Sequence, residues 1–276
     1  IIMYIGPNIP TDNLKAFFDV SNPKCVDASD TIDSNIRLNN LVGGTEQLRA
    51  YDTTNSNMTF VIDNGSYVYN QNGINDGYPG WCGTGTNPTR VDDYSFVCWY
   101  KYNYGSSNQR NNNIYGGGFN GETSFYLSPG GTSQSHGVLL YSDAGGTNSY
   151  SVTSGANGGN DGNWHMFGHS NTGGDGNQTT KLYIDGVHKQ TGTSNSSYDT
   201  PDNTAELVWG SWSKSYGNFN GRSNCFMYYE KVLSDNEMFR IYNGMKKRFI
   251  NGWFNMWYLW FTIIDWWCMF KRYMWE

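Results

Sequence analysis

Apolar and polar positions in this chain alternate in short runs, not in long helical arcs. Strand-like runs fall at 14–20 (LKAFFDV), 58–63 (MTFVID), 66–70 (SYVYN), 94–101 (YSFVCWYK), 123–128 (TSFYLS) and 137–142 (GVLLYS). Others fall at 163–170 (NWHMFGHS), 180–185, 187–191, 205–212 (AELVWGSW) and 222–230 (RSNCFMYYE), with Gly, Asn, Asp and Ser clusters between them. Many short, evenly spaced strands predict an all-β jelly-roll sandwich of two curved antiparallel sheets. In 94–100, Tyr94, Phe96, Cys98 and Tyr100 share one face and Val97 and Trp99 the other. In 163–169, Trp164, Met166 and Gly168 oppose His165, Phe167 and His169. Large groups on both faces imply an outer face that is covered or curved.

The stretch KLYIDGVHKQTG, 181–192, reads as a hairpin turning on Asp185-Gly186, residues that accept the positive φ of a two-residue turn. One helix is predicted at 235–247, on the sandwich edge. Ser234 and Glu237 form a capping box. Met238, Ile241, Tyr242 and Met245 make its apolar face, and Lys246, Lys247 and Arg248 suit the negative end of its dipole.

After Phe249 the pattern changes. Residues 253–270, WFNMWYLWFTIIDWWCMF, are almost continuously apolar, with Trp253, Trp257, Trp260, Trp266 and Trp267. As a helix this stretch would span ~27 Å, close to a bilayer core. Three readings stand: an assembly tail against another subunit or particle, a membrane or interfacial anchor, or a segment translated out of frame. The expected division is a sandwich over 1–249 and an aromatic tail over 250–276.

Composition fits the β reading. Aromatics are 17%, charged residues 15%, and there are 34 glycines. A net charge of −6 with scattered basic residues gives no footprint for nucleic acid. The five cysteines, Cys25, Cys82, Cys98, Cys225 and Cys268, form no CxxC pair and read mostly as small buried hydrophobes, with one disulfide possible. The opening IIMYIGPNIP lacks a basic n-region and is not expected to be a signal peptide, although the numbering starts on Ile1 and not on Met.

Three stretches together resemble one family. LKAFFDVSNPKCV is similar to the opening of laminin-G-like domains of phage structural proteins. NWHMFGHSNTGGDGNQTTKLYIDGVHKQTGT is similar to their W-H and Y-x-D-G hairpin. GNFNGRSNCFMYYEKVLSDNEMFRIYNGMKKRF is similar to their closing strand and helix. The chain is thereby identified as a member of the concanavalin A-like lectin/glucanase superfamily, laminin-G-like branch, over roughly residues 10–249. The resemblance implies that the opening strand and the strand before the helix are neighbours. It also implies that Tyr183 and Trp164 pack in the sandwich and that Asp185-Gly186 only turns the chain.

Candidate chemistry is sparse. Glucanases of the superfamily carry E-x-D-x-E on one strand, and the glutamates here are isolated, so no enzyme is expected. His165 and His169 lie on one strand face, roughly 13 Å apart, too far to share an ion. The family often holds Ca²⁺ at the sandwich rim, which makes Asp92, Asp93, Asp143, Asp161 and Asp175 its candidate ligands and calcium the one cofactor expected. A glycan site needs an aromatic platform with polar neighbours. Asp76, Tyr78 and Trp81 supply one, and Trp212, Tyr216 and Asn218 another.

The resulting expectation is a non-enzymatic virion component, a capsid decoration or fibre protein that assembles in the host cytoplasm. Its partners would be other virion proteins or further copies of itself, and host-surface glycans. A carbohydrate-binding cell-surface adhesion module is the alternative, and a glycan-cleaving enzyme the second.

Overall fold

The computed structural model describes residues 9–27, 32, 35–43, 47–51, 58–71, 80–84, 92–102, 115–117, 135–141, 149–156, 161–174, 177–194, 207–213 and 216–250. In chain order the strands are β1 (Leu14–Asp19), β2 (Arg37–Asn39), β3 (Gln47–Tyr51), β4 (Met58–Asp63), β5 (Ser66–Gln71), β6 (Gly80–Thr84), β7 (Tyr94–Tyr102) and β8 (Tyr115–Gly117). There follow β9 (Ser135–Tyr141), β10 (Ser149–Ala156), β11 (Trp164–Thr172), β12 (Thr179–Ile184), β13 (Val187–Thr193), β14 (Leu207–Trp209), β15 (Ser211–Ser213), β16 (Tyr216–Asn218) and β17 (Gly221–Tyr229). One helix, α1 (Asp235–Phe249), closes the described chain.

An eight-stranded sheet runs β13-β12-β11-β7-β17-β5-β4, with β1 also paired to β17. All its pairings are antiparallel. A five-stranded sheet runs β2-β3-β6-β14-β8, and β9–β10 and β15–β16 form two-stranded sheets. This is the predicted jelly-roll-type sandwich. The first and last strands are neighbours as expected: Phe18 faces Phe226 and Asp19 faces Cys225.

β17 serves two partners on one side. Gly221–Ser223 pair with β5, and Cys225–Tyr229 pair with β1. A bulge between Ser223 and Phe226 makes the change of partner possible, because an extra residue bends the strand. The buried Asn224 side chain fills the gap and donates to Ser21 Oγ and the Tyr67 carbonyl.

The sheet's inner face carries Phe96, Cys98, Tyr100, Phe167, His169 and Phe226, as the two-residue period of β7 and β11 predicts. The second sheet meets it through Trp209, whose ring lies 6.2 Å from Phe226 and 6.0 Å from Tyr69. Leu38, Leu48 and Ala50 are buried beside it. Cys25, Cys98 and Cys225 are buried free thiols, and burial pushes the Cys25 thiol up to about 12.

The helix does not lie on the sandwich edge. It lies across the outer face of the eight-stranded sheet, and two expectations change with it. Trp164 and Tyr183 do not point between the sheets: register puts Trp164 on the side of Met166 and Trp99, and Tyr183 opposite Gly168. They form the bed for α1. Trp99 stacks on Tyr242 and Phe249 with centroids 5.6 and 4.5 Å away, and Trp164 lies 5.0 Å from Phe249. Tyr183 Oη donates to Asp235 Oδ1 at 2.7 Å in the first helical turn.

The capping box forms as predicted, with Ser234 and Glu237 bonded reciprocally, but the helix runs two residues past the expected end. Tertiary contacts explain the extension. Arg248 is held by Asp19 through two hydrogen bonds of 2.8 and 2.9 Å, and Asn64 at the β4–β5 turn donates to the Phe249 carbonyl. The expected strand at 123–128 and the aromatic tail lie outside the described residues. The expected run 205–212 breaks into β14 and β15 at Gly210, whose φ is 91°.

Candidate functional site

Three places gather the chemistry-bearing residues, and the fold sets each apart. The first is the β14–β16 region. β14 pairs with β6 and β8, with Trp209 opposite Trp81 on one side and Tyr115 on the other. Beyond Gly210, β15 and β16 pair Ser211 with Asn218 and Ser213 with Tyr216. The backbone thus brings positions 81, 212, 216 and 218 into one corner of the second sheet. Asp76 and Tyr78 lie outside the described residues.

The second place is the rim where β7 begins and β11 ends. Asp93 Oδ1 accepts from Thr172 Oγ1 at 2.7 Å and from the Gly173 amide at 3.2 Å. The Asp92 carbonyl accepts from Asn171 Nδ2, and a Cβ on Gly174 would stand 3.2 Å from the Asp92 carboxylate. Asp161 is at the other end of β11, ~30 Å along the strand, so it cannot share an ion with Asp92 and Asp93. Asp143 and Asp175 lie outside the described residues. Calcium takes 6–8 oxygen ligands. Among the described residues no group of three His, Cys, Asp or Glu is placed to hold a metal.

The third place was not expected from the sequence. His165 Nδ1 lies 2.8 Å from Asp185 Oδ2, and its Nε2 lies 3.0 Å from Asp161 Oδ1. Asp185 also takes the Met166 amide on Oδ1 at 2.9 Å. The Asp-Gly turn therefore does more than reverse the chain; it anchors the start of β11. Burial disfavours the imidazolium, but hydrogen bonds to Asp185 and then to Asp161 outweigh burial and hold His165 above its ordinary value. Both ring nitrogens face carboxylates, so the protonated ring donates from each, and the raised value reflects that. Non-local pairing hid this clamp, since Asp185 is 20 residues from His165. His169, two turns of the pleat along, is the opposite case: burial among Tyr94, Phe96 and Phe167 pushes it down to about 3, so it stays neutral.

The other described carboxylates are largely committed to pairs. Asp63 holds Arg222 Nη1 at 2.6 Å, Lys101 Nζ at 3.3 Å and Trp164 Nε1 at 3.2 Å. Burial opposes its charge, but Arg222 and Lys101 prevail and keep its carboxyl below the usual range. Glu237 binds Lys231, and Glu230 binds Lys15. No described helix is long and apolar enough to cross a membrane.

Comparison with known proteins gives the fold a family. No curated protein matches the chain. Among solved structures, Domain 4 of AbnA, a GH43 extracellular arabinanase from Geobacillus stearothermophilus in complex with arabinotriose, is 18% identical with a TM-score of 0.55. The likeness covers 83% of this chain and 98% of that domain. The binding domain of Paraclostridial Mosquitocidal Protein 1 is 14% identical with a TM-score of 0.60, over 84% of this chain and 52% of that one. The binding domain of Botulinum Neurotoxin DC in complex with SialylT is 11% identical with a TM-score of 0.55, over 84% of this chain and 51% of that one. The chain thus spans nearly all of the arabinanase domain and about half the length of the toxin chains. A laminin-G-type profile, described as the concanavalin A-like lectin/glucanases superfamily, matches residues 75–238, more than half of the sequence, and the chain belongs to that superfamily.

Proposed function

We propose that the sandwich binds glycans without cleaving them, as the lectin-like domain of a virion component, a capsid decoration or fibre protein. The observation that carries the glycan reading is the likeness to Domain 4 of the arabinanase, which is end to end and to a domain holding arabinotriose. The toxin binding domains support the same ligand class with less weight, because about half of each lies beyond the likeness. A non-cleaving role is supported by the state of the described carboxylates. Asp161 and Asp185 are bound to His165, Asp63 to Arg222 and Lys101, and Asp19 to Arg248. A glycosidase needs an acid and a second carboxylate free to flank a bond. The virion reading rests on the resemblance of the opening and closing stretches to phage structural domains. Its partners would be other virion proteins or further copies, with the sandwich of 1–249 distinct from the tail of 250–276.

In this reading the sugar stacks in the corner of Trp81, Trp212, Tyr216 and Asn218. The test is calorimetric titration of the full chain with arabinotriose and with a sialylated oligosaccharide, in wild type and Trp212→Ala. Saturable heat with one sugar, weakened about 2–10-fold by the substitution, is expected. Absence of heat across a glycan panel would overturn the proposal, as would release of shortened sugar.

Calcium is proposed at the Asp92–Asp93 rim, with Asp175 as a further candidate ligand by its place in the sequence just after Gly174. Raising free calcium to ten times its dissociation constant should lift Tm by about 3–5 °C, and Asp92→Asn should abolish the rise. An unchanged Tm in millimolar calcium removes the ion from the account.

A further inference from the structure

At the β4–β5 hairpin the inner face of the eight-stranded sheet runs out past its cover. Met58, Phe60 and Ile62 share a face with their partners Gln71, Tyr69 and Tyr67. At the covered end Met58 and Tyr69 are buried, and Tyr69 meets Trp209 of the second sheet. At the tip Ile62 is 65% exposed and Tyr67 38%. Isolated exposed apolar residues need no explanation, but here a third follows: Ile250, 46% exposed, where the chain leaves α1. It leaves at the same tip, because Asn64 of the turn bonds the Phe249 carbonyl.

The backbone is open there too. β4 ends the order of the sheet, so among the described residues no strand pairs with its outer side. Asn64 and Gly65 both have positive φ, 50° and 78°, and form a two-residue turn. Asp63 and Ser66 then make the first hydrogen-bonded pair, bonding alternates, and the amide and carbonyl of Ile62 point to the open side. Such an edge invites another strand.

We infer that residues 253–270 of the same chain fold back round this tip and cover Ile62, Tyr67 and the open edge of β4. The segment begins three residues after Ile250, so it meets this surface at no cost in loop length. Its composition needs a cover, since its one charge is Asp265. The tip supplies a match for that charge. On the tip's outer face Lys101 and Arg222 both pair with Asp63, two cations on one carboxylate, which leaves one positive charge in excess among the described residues. This inference does not depend on the glycan reading.

The experiment uses the full chain, in wild type, in an Ile62→Lys/Tyr67→Lys double variant, and in Val42→Lys as a control at an exposed apolar site elsewhere. Mass is followed by light scattering over a dilution series, and matched circular dichroism and Tm establish that each variant is folded. Hydrogen exchange at the Ile62 amide and proteolytic cleavage beyond residue 250 are read in parallel. The expected result is a monomer whose Ile62 amide is protected. The double variant should lose that protection and be cleaved about tenfold faster in the tail, while Val42→Lys matches wild type. An unprotected Ile62 amide, or tail cleavage indifferent to the double substitution, overturns the inference. Protection that fades on dilution assigns the surface to a second copy, and protection that appears only with lipid vesicles assigns the tail to a membrane; either also overturns it.

Discussion

Gly186 ties the hairpin to the helix, and replacing it with alanine isolates that contact. Its φ is 74°, and an added Cβ would stand 2.8 Å from Tyr242 Cβ, 2.9 Å from Phe239 Cα and 3.2 Å from the Met238 carbonyl oxygen. These are backbone or first side-chain atoms of α1, so they yield only if the helix lifts. Two costs add. The left-handed conformation costs a non-glycine residue about 1–2 kcal/mol. Overpacking against a well-seated neighbour costs about 1–3 kcal/mol more. The sum is about 2–5 kcal/mol, a large fraction of the stability of an ordinary domain.

Two other glycines supply the controls. Gly65 has nearly the same φ, 78°, and nothing within 4 Å of the added atom, so Gly65→Ala carries the conformational cost alone, about 1–2 kcal/mol. Gly168 has no unusual φ, and its added Cβ meets Met238 Sδ at 3.0 Å, the far part of a flexible side chain. Gly168→Ala should cost less than about 1.5 kcal/mol. Urea unfolding of the three variants, followed by tryptophan emission because Trp99 and Trp164 lie under the helix, gives the order Gly186, Gly65, Gly168. Equal midpoints for Gly186→Ala and Gly65→Ala would refute the seating of α1 on the turn.

Two further tests probe the clamps on either side. Arg248→Ala should cost about 2–4 kcal/mol in the same assay, since it strips a two-pronged partner from Asp19, which is 6% exposed; a loss under about 0.5 kcal/mol would mean that the helix end is held by Phe249 alone. His165 makes stability depend on pH, and the sign follows from its raised value. The stabilisation is fully present below the unfolded value of 6.5 and fades as pH rises through the higher folded one. Asp161, held below its ordinary value of 3.8 despite burial by Asn163 and His165, loses its share as pH falls through its folded value. The stability gap between wild type and His165→Asn should therefore be greatest between about pH 4 and 6.5, about 1–2 kcal/mol given the half-exposed carboxylates, and shrink in alkali. Taking the difference removes the opposing effect of His169, which acts in both proteins. A gap that widens with alkali would overturn the clamp.

The legible parts of this fold are those with local signals. Asp185-Gly186 announces a turn, Ser234 and Glu237 announce a helix start, and the period-two runs of β7 and β11 assign their faces. The three-residue strands β2, β8, β15 and β16 are too short to carry a period. The seat of α1 was illegible for another reason. An amphipathic face says that something must cover it, not which surface does so, and Trp164 and Tyr183 fit the inside of a sandwich as well as the underside of a helix. The Asp161–His165–Asp185 clamp escaped because each residue has an ordinary local role: a bend, a strand position and a turn.

That arrangement bears on where a ligand can bind. The inner face of the large sheet is filled by Phe96, Phe167, Phe226 and their neighbours, and the outer face between β7 and the β12–β13 turn is occupied by α1. Among the described residues of these central regions no large aromatic ring is open to a sugar. Among the described residues the exposed aromatics are Tyr67, at the tip assigned to the tail, and Phe239, on the helix. Phe239 carries no hydroxyl to orient a sugar, and its neighbour Val187 is equally apolar. In the proposed glycan reading the stacking platform belongs to the second sheet and the loops around it, where the backbone brings positions 81, 212, 216 and 218 together. In that reading the large sheet is the scaffold, and the proposal places ligand choice at the corner of β6 and β14–β16.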